Sequence, residues 1–119
     1  MEFFRRTYWR IIWSWKGVVD TWKNESSFRY WVWSNLGSAA LAFYLPLTVG
    51  ERALILSLGL LILAFEAINT AVEITIDYIS TERHPEAGRA KDAASAAVFL
   101  SAIAAGVAWV VILARVLSA

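Results

Sequence analysis

Two stretches of this chain run without a charged residue for the length of a membrane crossing. Tyr30 to Gly50 covers 21 residues and Ala93 to Ala114 covers 22, with no Asp, Glu, Lys or Arg in either. A helix needs about 20 apolar residues to cross roughly 30 Å of hydrocarbon, so each stretch predicts a transmembrane helix. With 59% hydrophobic residues and seven Trp in 119 positions, the composition is too apolar for a soluble domain of this size. The chain therefore reads as a single integral-membrane domain over residues 1–119. It has no Cys, which excludes disulfides and thiolate ligands.

A third segment is apolar only in its first half. Ala53 to Phe65 gives 13 uncharged residues, too few to cross alone. FEAINTAVEITID, residues 65 to 77, follows and puts Glu66, Asn69, Glu73 and Asp77 into the same predicted helix. Extended to Ile79, the segment spans a bilayer if its polar groups are buried against protein. Positions 66, 69, 70, 73 and 77 project within roughly ±60° of one another at about 3.6 residues per turn, so these residues, with Thr70, form one polar stripe. A carboxylate at the bilayer centre costs about 2.5 kcal/mol or more even on lenient scales, and two Glu on one helix call for a use. Hydrogen bonding between helices is the competing account, and for Asn69 and Thr70 alone it is equally good.

Glu66 and Glu73 lie about 10 Å apart along the axis, too far to share one atom through short contacts. That separation suits a division of labour. Glu73 and Asp77 sit nearer the helix end, where a hydrated cation escorting a polyphosphate could reach them. Glu66 lies two turns deeper, in apolar surroundings that suit a general base.

Residues 4 to 22 predict a helix of a different kind. Phe4, Tyr8, Ile11, Ile12, Trp15, Val19 and Trp22 share one stripe, while Arg6, Arg10, Trp13 and Asp20 lie opposite. This predicts an interfacial helix with Trp at headgroup depth, a membrane-surface anchor in preference to a separate lipid-sensing element. Expected ranges are about 4–23 for that helix and about 28–47, 52–79 and 90–115 for three transmembrane helices. Pro46, Gly50 and Glu51 mark the first turn, and Ser80 to Arg89, with Pro85 and Gly88, mark the second loop.

Net charge is only +1, which gives no basic footprint for nucleic acid, but the distribution is uneven. Arg5, Arg6, Arg10, Lys16, Lys23 and Arg29 precede the first span, and Arg83, Arg89 and Lys91 flank the second loop. The positive-inside rule places the N-terminus and that loop in the cytoplasm. HPEAGRAKD could offer Arg89, Lys91 and free backbone amides to anionic oxygens, or could be ordinary flanking charge. Glu25, in NESSFR, is either a helix-start acid or a metal ligand. His84 reads as a solvent-facing residue or a cap, and one His without Cys builds no zinc site. No GxxxxGK[ST] or kinase-type Gly-rich loop is present.

EAINTAVE (66 to 73) with Asp77, ERH (82 to 84), GRAKD (88 to 92) and SAAV (95 to 98), together with SWKG (14 to 17) and NESSFR (24 to 29), resemble the bacterial integral-membrane diacylglycerol kinases. The likeness covers essentially the whole chain, and ExxNTAxE followed by AKD is a specific signature. It implies a homotrimer, each subunit all-α with one interfacial and three transmembrane helices, in the bacterial cytoplasmic (inner) membrane. It also implies phosphorylation of diacylglycerol to phosphatidic acid with ATP and Mg2+. Carried over by matching position, Glu66 would be the general base, supported by Asn69, and Glu25 and Glu73 would hold the metal. Lys91 and Asp92 would meet the nucleotide, with Glu82, Arg83 and His84 near the adenine and Arg6 and Trp13 close by. Arg6, Trp15, Arg29, Arg52 and Ser95 would contact the lipid.

The chain departs from the family at a few places. Trp13 stands where a Tyr is expected, so stacking survives and a hydroxyl is lost. Trp31 stands for a Glu of some relatives, and Ala93-Ala94 for a Met-Gly pair. A sister branch phosphorylates undecaprenol and tends to read AKDxAAGAV; AKDAASAAV with SWKG leans towards diacylglycerol. From a different class, a non-catalytic channel or scaffold subunit would use the acidic stripe to line a water path.

Overall fold

A computed structural model describes all residues from Met1 to Ala119, and it is helical throughout apart from short connections. Four helices follow in order: α1 (Glu2–Asn24), α2 (Ser26–Tyr44), α3 (Val49–Ile79) and α4 (Pro85–Ser118). Of these, α3 and α4 are long and apolar enough to cross a membrane. The fold is that of an all-α membrane protein.

The helix boundaries have local chemical causes. A lone extended residue, Glu25, separates α1 from α2. Pro46 biases Leu45 to extended backbone, which ends α2 at Tyr44, earlier than the expected position 47. Thr48 then opens α3 with a capping box: its hydroxyl accepts from the Glu51 amide at 3.1 Å, and Glu51 Oε1 accepts from the Thr48 amide at 2.8 Å. Gly50 and Glu51, expected in the turn, are therefore helical. The second loop is also shorter than expected. Pro85 occupies the first turn of α4, where its missing N–H is harmless, and His84 Nδ1 accepts from the Glu86 amide at 3.1 Å. His84 is thus a cap, and Gly88 and Arg89 lie inside the helix.

α3 is the central element, packed most extensively on α4 and next on α2, with α1 touching only α2 and α3. Its N-terminal part rests in a small core of Ala42, Leu47, Ile55, Ala108 and Ile112. Ala42 is fully buried, because its methyl group lets neighbouring helices approach closely. Polar ties reinforce that end: Trp109 Nε1 donates to Ser38 Oγ at 2.8 Å, and Arg115 Nε donates to Glu51 Oε2 at 2.6 Å. Only 11 of 119 residues are buried, so one chain alone encloses little. Much of α1 lies outside that packing, with Phe4, Tyr8, Ile11 and Trp15 all exposed.

Midway along, α2 and α3 meet at a glycine. Asn35 Nδ2 donates to the Gly59 carbonyl at 2.9 Å, and a Cβ on Gly59 would lie 3.3 Å from Asn35 Cγ and Oδ1. Gly59→Val is expected to destabilise the fold by about 1–3 kcal/mol, and by less once Asn35→Ala has cleared the space. Thermal unfolding in micelles checks this; equal losses in both backgrounds would contradict the close approach.

Candidate functional site

The polar stripe of α3 divides into a deep part and a shallow part. Glu66 and Thr70 are buried, at 4% and 5% exposure, and Asn69 and Glu73 are half-buried. The stripe faces protein in its deep half, as a carboxylate in an apolar interior must. Ser27 Oγ, from the first turn of α2, donates to Glu66 Oε1 at 2.6 Å. One turn further along, Asn69 Nδ2 donates to Glu73 Oε1 at 3.3 Å. Asn69 Oδ1 is enclosed and accepts nothing.

Asp77 belongs to the shallow part. It is exposed, and Lys91 Nζ reaches it from α4 at 2.7 Å. Beside this pair the second loop forms a cleft of about 430 Å³, lined by Asp77, Glu82, Arg83, His84 and Lys91 among others. Four residues expected at the nucleotide therefore meet in one place. Arg89 does not line that cleft; its guanidinium binds Glu86 at 2.9 Å on the exposed surface. Asp92 is exposed.

Arg6 and Trp13 come together in a separate cleft of about 400 Å³ on α1, with Arg5, Trp9 and Arg10. Trp13 stacks on Trp9, and Arg6 pairs with Glu2 at 3.2 Å. Trp15 and Ser95 are exposed. Glu25 caps neither neighbouring helix through its side chain. Arg29 and Arg52, two of the expected lipid contacts, hold backbone carbonyls within the chain. Arg29 donates to the carbonyls of Trp22 and Lys23 at the end of α1. Arg52 donates to the Ala42 carbonyl at 2.9 Å and lies over the Phe43 ring. It stands 14 residues from Glu66, about 21 Å along α3.

No three acidic or His side chains of this chain converge as a metal site. Mg2+ makes a smaller demand, one or two carboxylates with phosphate and water oxygens completing the shell. Glu73, half-buried and in none of the chain's ion pairs, provides a hard oxygen donor of that kind.

Two features escaped the sequence. Ser27 was visible only as part of NESSFR, and nothing periodic links it to a residue 39 positions away. The Asp77–Lys91 pair had a signal, opposite charges at the two sides of a helix–loop–helix hairpin.

An all-helical chain with two membrane-length helices and a carboxylate in its interior has the make-up of an integral-membrane protein. Residues 12–113 match the prokaryotic diacylglycerol kinase family. A diacylglycerol kinase of Pseudomonas aeruginosa is 40% identical over 97 residues, covering 82% of this chain and 79% of that protein. One from Haemophilus influenzae is 41% identical over 94 residues, covering 79% and 80%. One from Escherichia coli K12 is 37% identical over 100 residues, covering 84% and 82%. The chain belongs to the prokaryotic diacylglycerol kinase family, and its enzyme class is that of a lipid kinase.

An enclosed acceptor without a donor costs about 1–3 kcal/mol. Asn69→Leu is accordingly expected to leave thermal stability unchanged or raised while lipid kinase turnover falls. A loss of stability of more than about 1 kcal/mol would show that Asn69 is structural.

Proposed function

We propose that this chain transfers the γ-phosphoryl group of ATP directly to the primary hydroxyl of diacylglycerol, forming phosphatidic acid and ADP at the cytoplasmic face of the bacterial inner membrane. The observation that carries the reading is Glu66, a buried carboxylate held by one hydroxyl and included in none of the chain's ion pairs. A carboxylate already neutralised by Lys or Arg would be a poor proton acceptor; this one is free to act as a base. Family membership supplies the rest of the support, because it makes the transferred group a phosphoryl and the acceptor a lipid.

In the proposed reaction, Glu66 takes the proton of the lipid hydroxyl as its oxygen attacks the γ-phosphorus, and the bond to the β-phosphate bridging oxygen breaks. The triphosphate enters along the shallow half of α3, with Lys91 drawn from Asp77 to phosphate oxygens. Glu82, Arg83 and His84 border the adenine, Asp92 stands nearby, and Arg6 with Trp13 approaches from α1 of the assembled enzyme. Glu73 and Glu25 would hold Mg2+, with Asn69 supporting the site, and the ion would neutralise phosphate charge. Phosphoryl transfer asks mostly for positioning and charge neutralisation, and this residue set offers both.

Ser95, Trp15, Arg6, Arg29 and Arg52 are the lipid contacts in this reading, Arg29 and Arg52 while also donating to carbonyls at helix ends. α2 is taken as a third transmembrane helix and α1 as a surface helix. A homotrimer is physically reasonable, since a chain with so few buried residues cannot alone enclose both a nucleotide and a lipid.

Purified enzyme in lipid–detergent micelles should form phosphatidate only with Mg2+ and ATP, and should prefer diacylglycerol when undecaprenol competes in the same assay. A preference for undecaprenol would move the chain to the sister branch. Glu66→Gln should abolish turnover while nucleotide binding stays within about twofold, because only the base is lost; substantial residual turnover would overturn the assignment. Glu73→Gln should raise the Mg2+ concentration needed for half-maximal rate by roughly tenfold or more, and an unaltered Mg2+ titration would remove Glu73 from the metal.

A further inference from the structure

Among the contacts in the deep half of α3, one combines a short distance with an unshared acceptor. Ser27 Oγ donates to Glu66 Oε1 at 2.6 Å. Hydrogen bonds from a hydroxyl to a carboxylate at such distances are among the stronger ones. Glu66 Oε2 takes no hydrogen bond from any group of the chain, so one oxygen of this buried carboxylate is held and the other is left unshared.

That asymmetry matters because the terminal torsion of Glu is broad and roughly two-fold, so an unrestrained carboxylate samples many orientations. Ser27 can restrain it because its own backbone is fixed. It lies in the first turn of α2, directly before the buried Phe28. Two residues further on, Arg29 ties the turn to the end of α1 through the Trp22 and Lys23 carbonyls. No ion pair of the chain includes Glu66, so the hydroxyl is its directional contact.

We propose that Ser27 is a positioning residue for proton transfer: by donating to Oε1 it sets the plane of the Glu66 carboxylate and presents Oε2 to the lipid hydroxyl. The proposal rests on the reading of Glu66 as the base. A group that aligns a base alters the chemical step more than it alters substrate binding.

The test compares Ser27→Ala, Ser27→Thr and Glu66→Gln in steady-state lipid kinase assays. Ser27→Ala should lower kcat roughly tenfold with KM for ATP and for diacylglycerol within about twofold. Ser27→Thr, which keeps the hydroxyl, should restore most of kcat. Wild-type kcat in Ser27→Ala beside an inactive Glu66→Gln overturns the positioning role and leaves the base assignment standing. A kcat loss that Thr does not restore also overturns it, since a merely structural Ser would behave that way. Turnover retained in Glu66→Gln overturns the base assignment and this proposal together.

Discussion

Hydrocarbon offers no hydrogen bonds, so each polar group carried into it must find a partner within the protein. The ends of these helices show how the chain meets that demand. The last carbonyls of a helix lack intrahelical donors, and a cation there also answers the negative end of the helix dipole. Arg29 serves the end of α1, and Arg52 serves the end of α2. Arg115 reaches the Pro46 carbonyl at 3.2 Å while pairing with Glu51. Arginine suits the task because its planar fork donates in several directions and stays charged. The same constraint gives the interior its meaning. Glu66 is tolerated because Ser27 answers it, and Asn69 Oδ1 stands out because nothing does.

The surface makes the complementary point. Phe99, Leu100, Val107, Val110 and Val111 are all exposed on α4, and Leu60 and Leu61 on α3. In a bilayer such residues rest against acyl chains or other subunits and need no cover from their own chain. The exposed apolar residues of α1 differ, because they alternate with Arg and Lys along a helix that is amphipathic rather than apolar all round. A helix of that kind gains by lying along the interface, with its charges in water and its aromatic rings among headgroups.

Four helices and the membrane length of the last two were legible in the sequence because they follow from apolar length and from period. Their ends were legible only in part. Pro46 and Pro85 were recognised as breakers, but a proline stops a helix that precedes it and starts a helix that follows it. Position relative to the helix decides which, and that moved Gly50, Glu51, Gly88 and Arg89 from loops into first turns. The stripe on α3 was legible because its members share one helix, so spacing alone aligns them. Ser27 with Glu66 and Arg52 with Ala42 were not, because both are contacts between helices and depend on rotation and register that no single-helix pattern contains. The family resemblance supplied the proposed roles of Arg29 and Arg52 but not their partners within the chain, which are backbone carbonyls at helix ends.

Helix length explains how so acidic a segment can belong to a membrane protein. The 31 residues of α3 run about 46 Å at about 1.5 Å each, well beyond roughly 30 Å of hydrocarbon. On the proposed orientation, the Thr48 cap and the Glu51–Arg115 pair gather at the outer boundary, where polar groups are best placed. About 20 residues inward from there, the hydrocarbon ends close to Glu66 and Thr70. Glu73, Asp77 and the loop cleft then stand beyond it, among headgroups and water. The only carboxylate left at the edge of the apolar layer is Glu66, the one that is buried and held by Ser27. That depth is also where a diacylglycerol presents its hydroxyl, with its acyl chains below and the aqueous nucleotide above. For the proposed base this depth is a requirement: much deeper it would be stranded from the phosphate, and much shallower it would face water instead of the lipid alcohol.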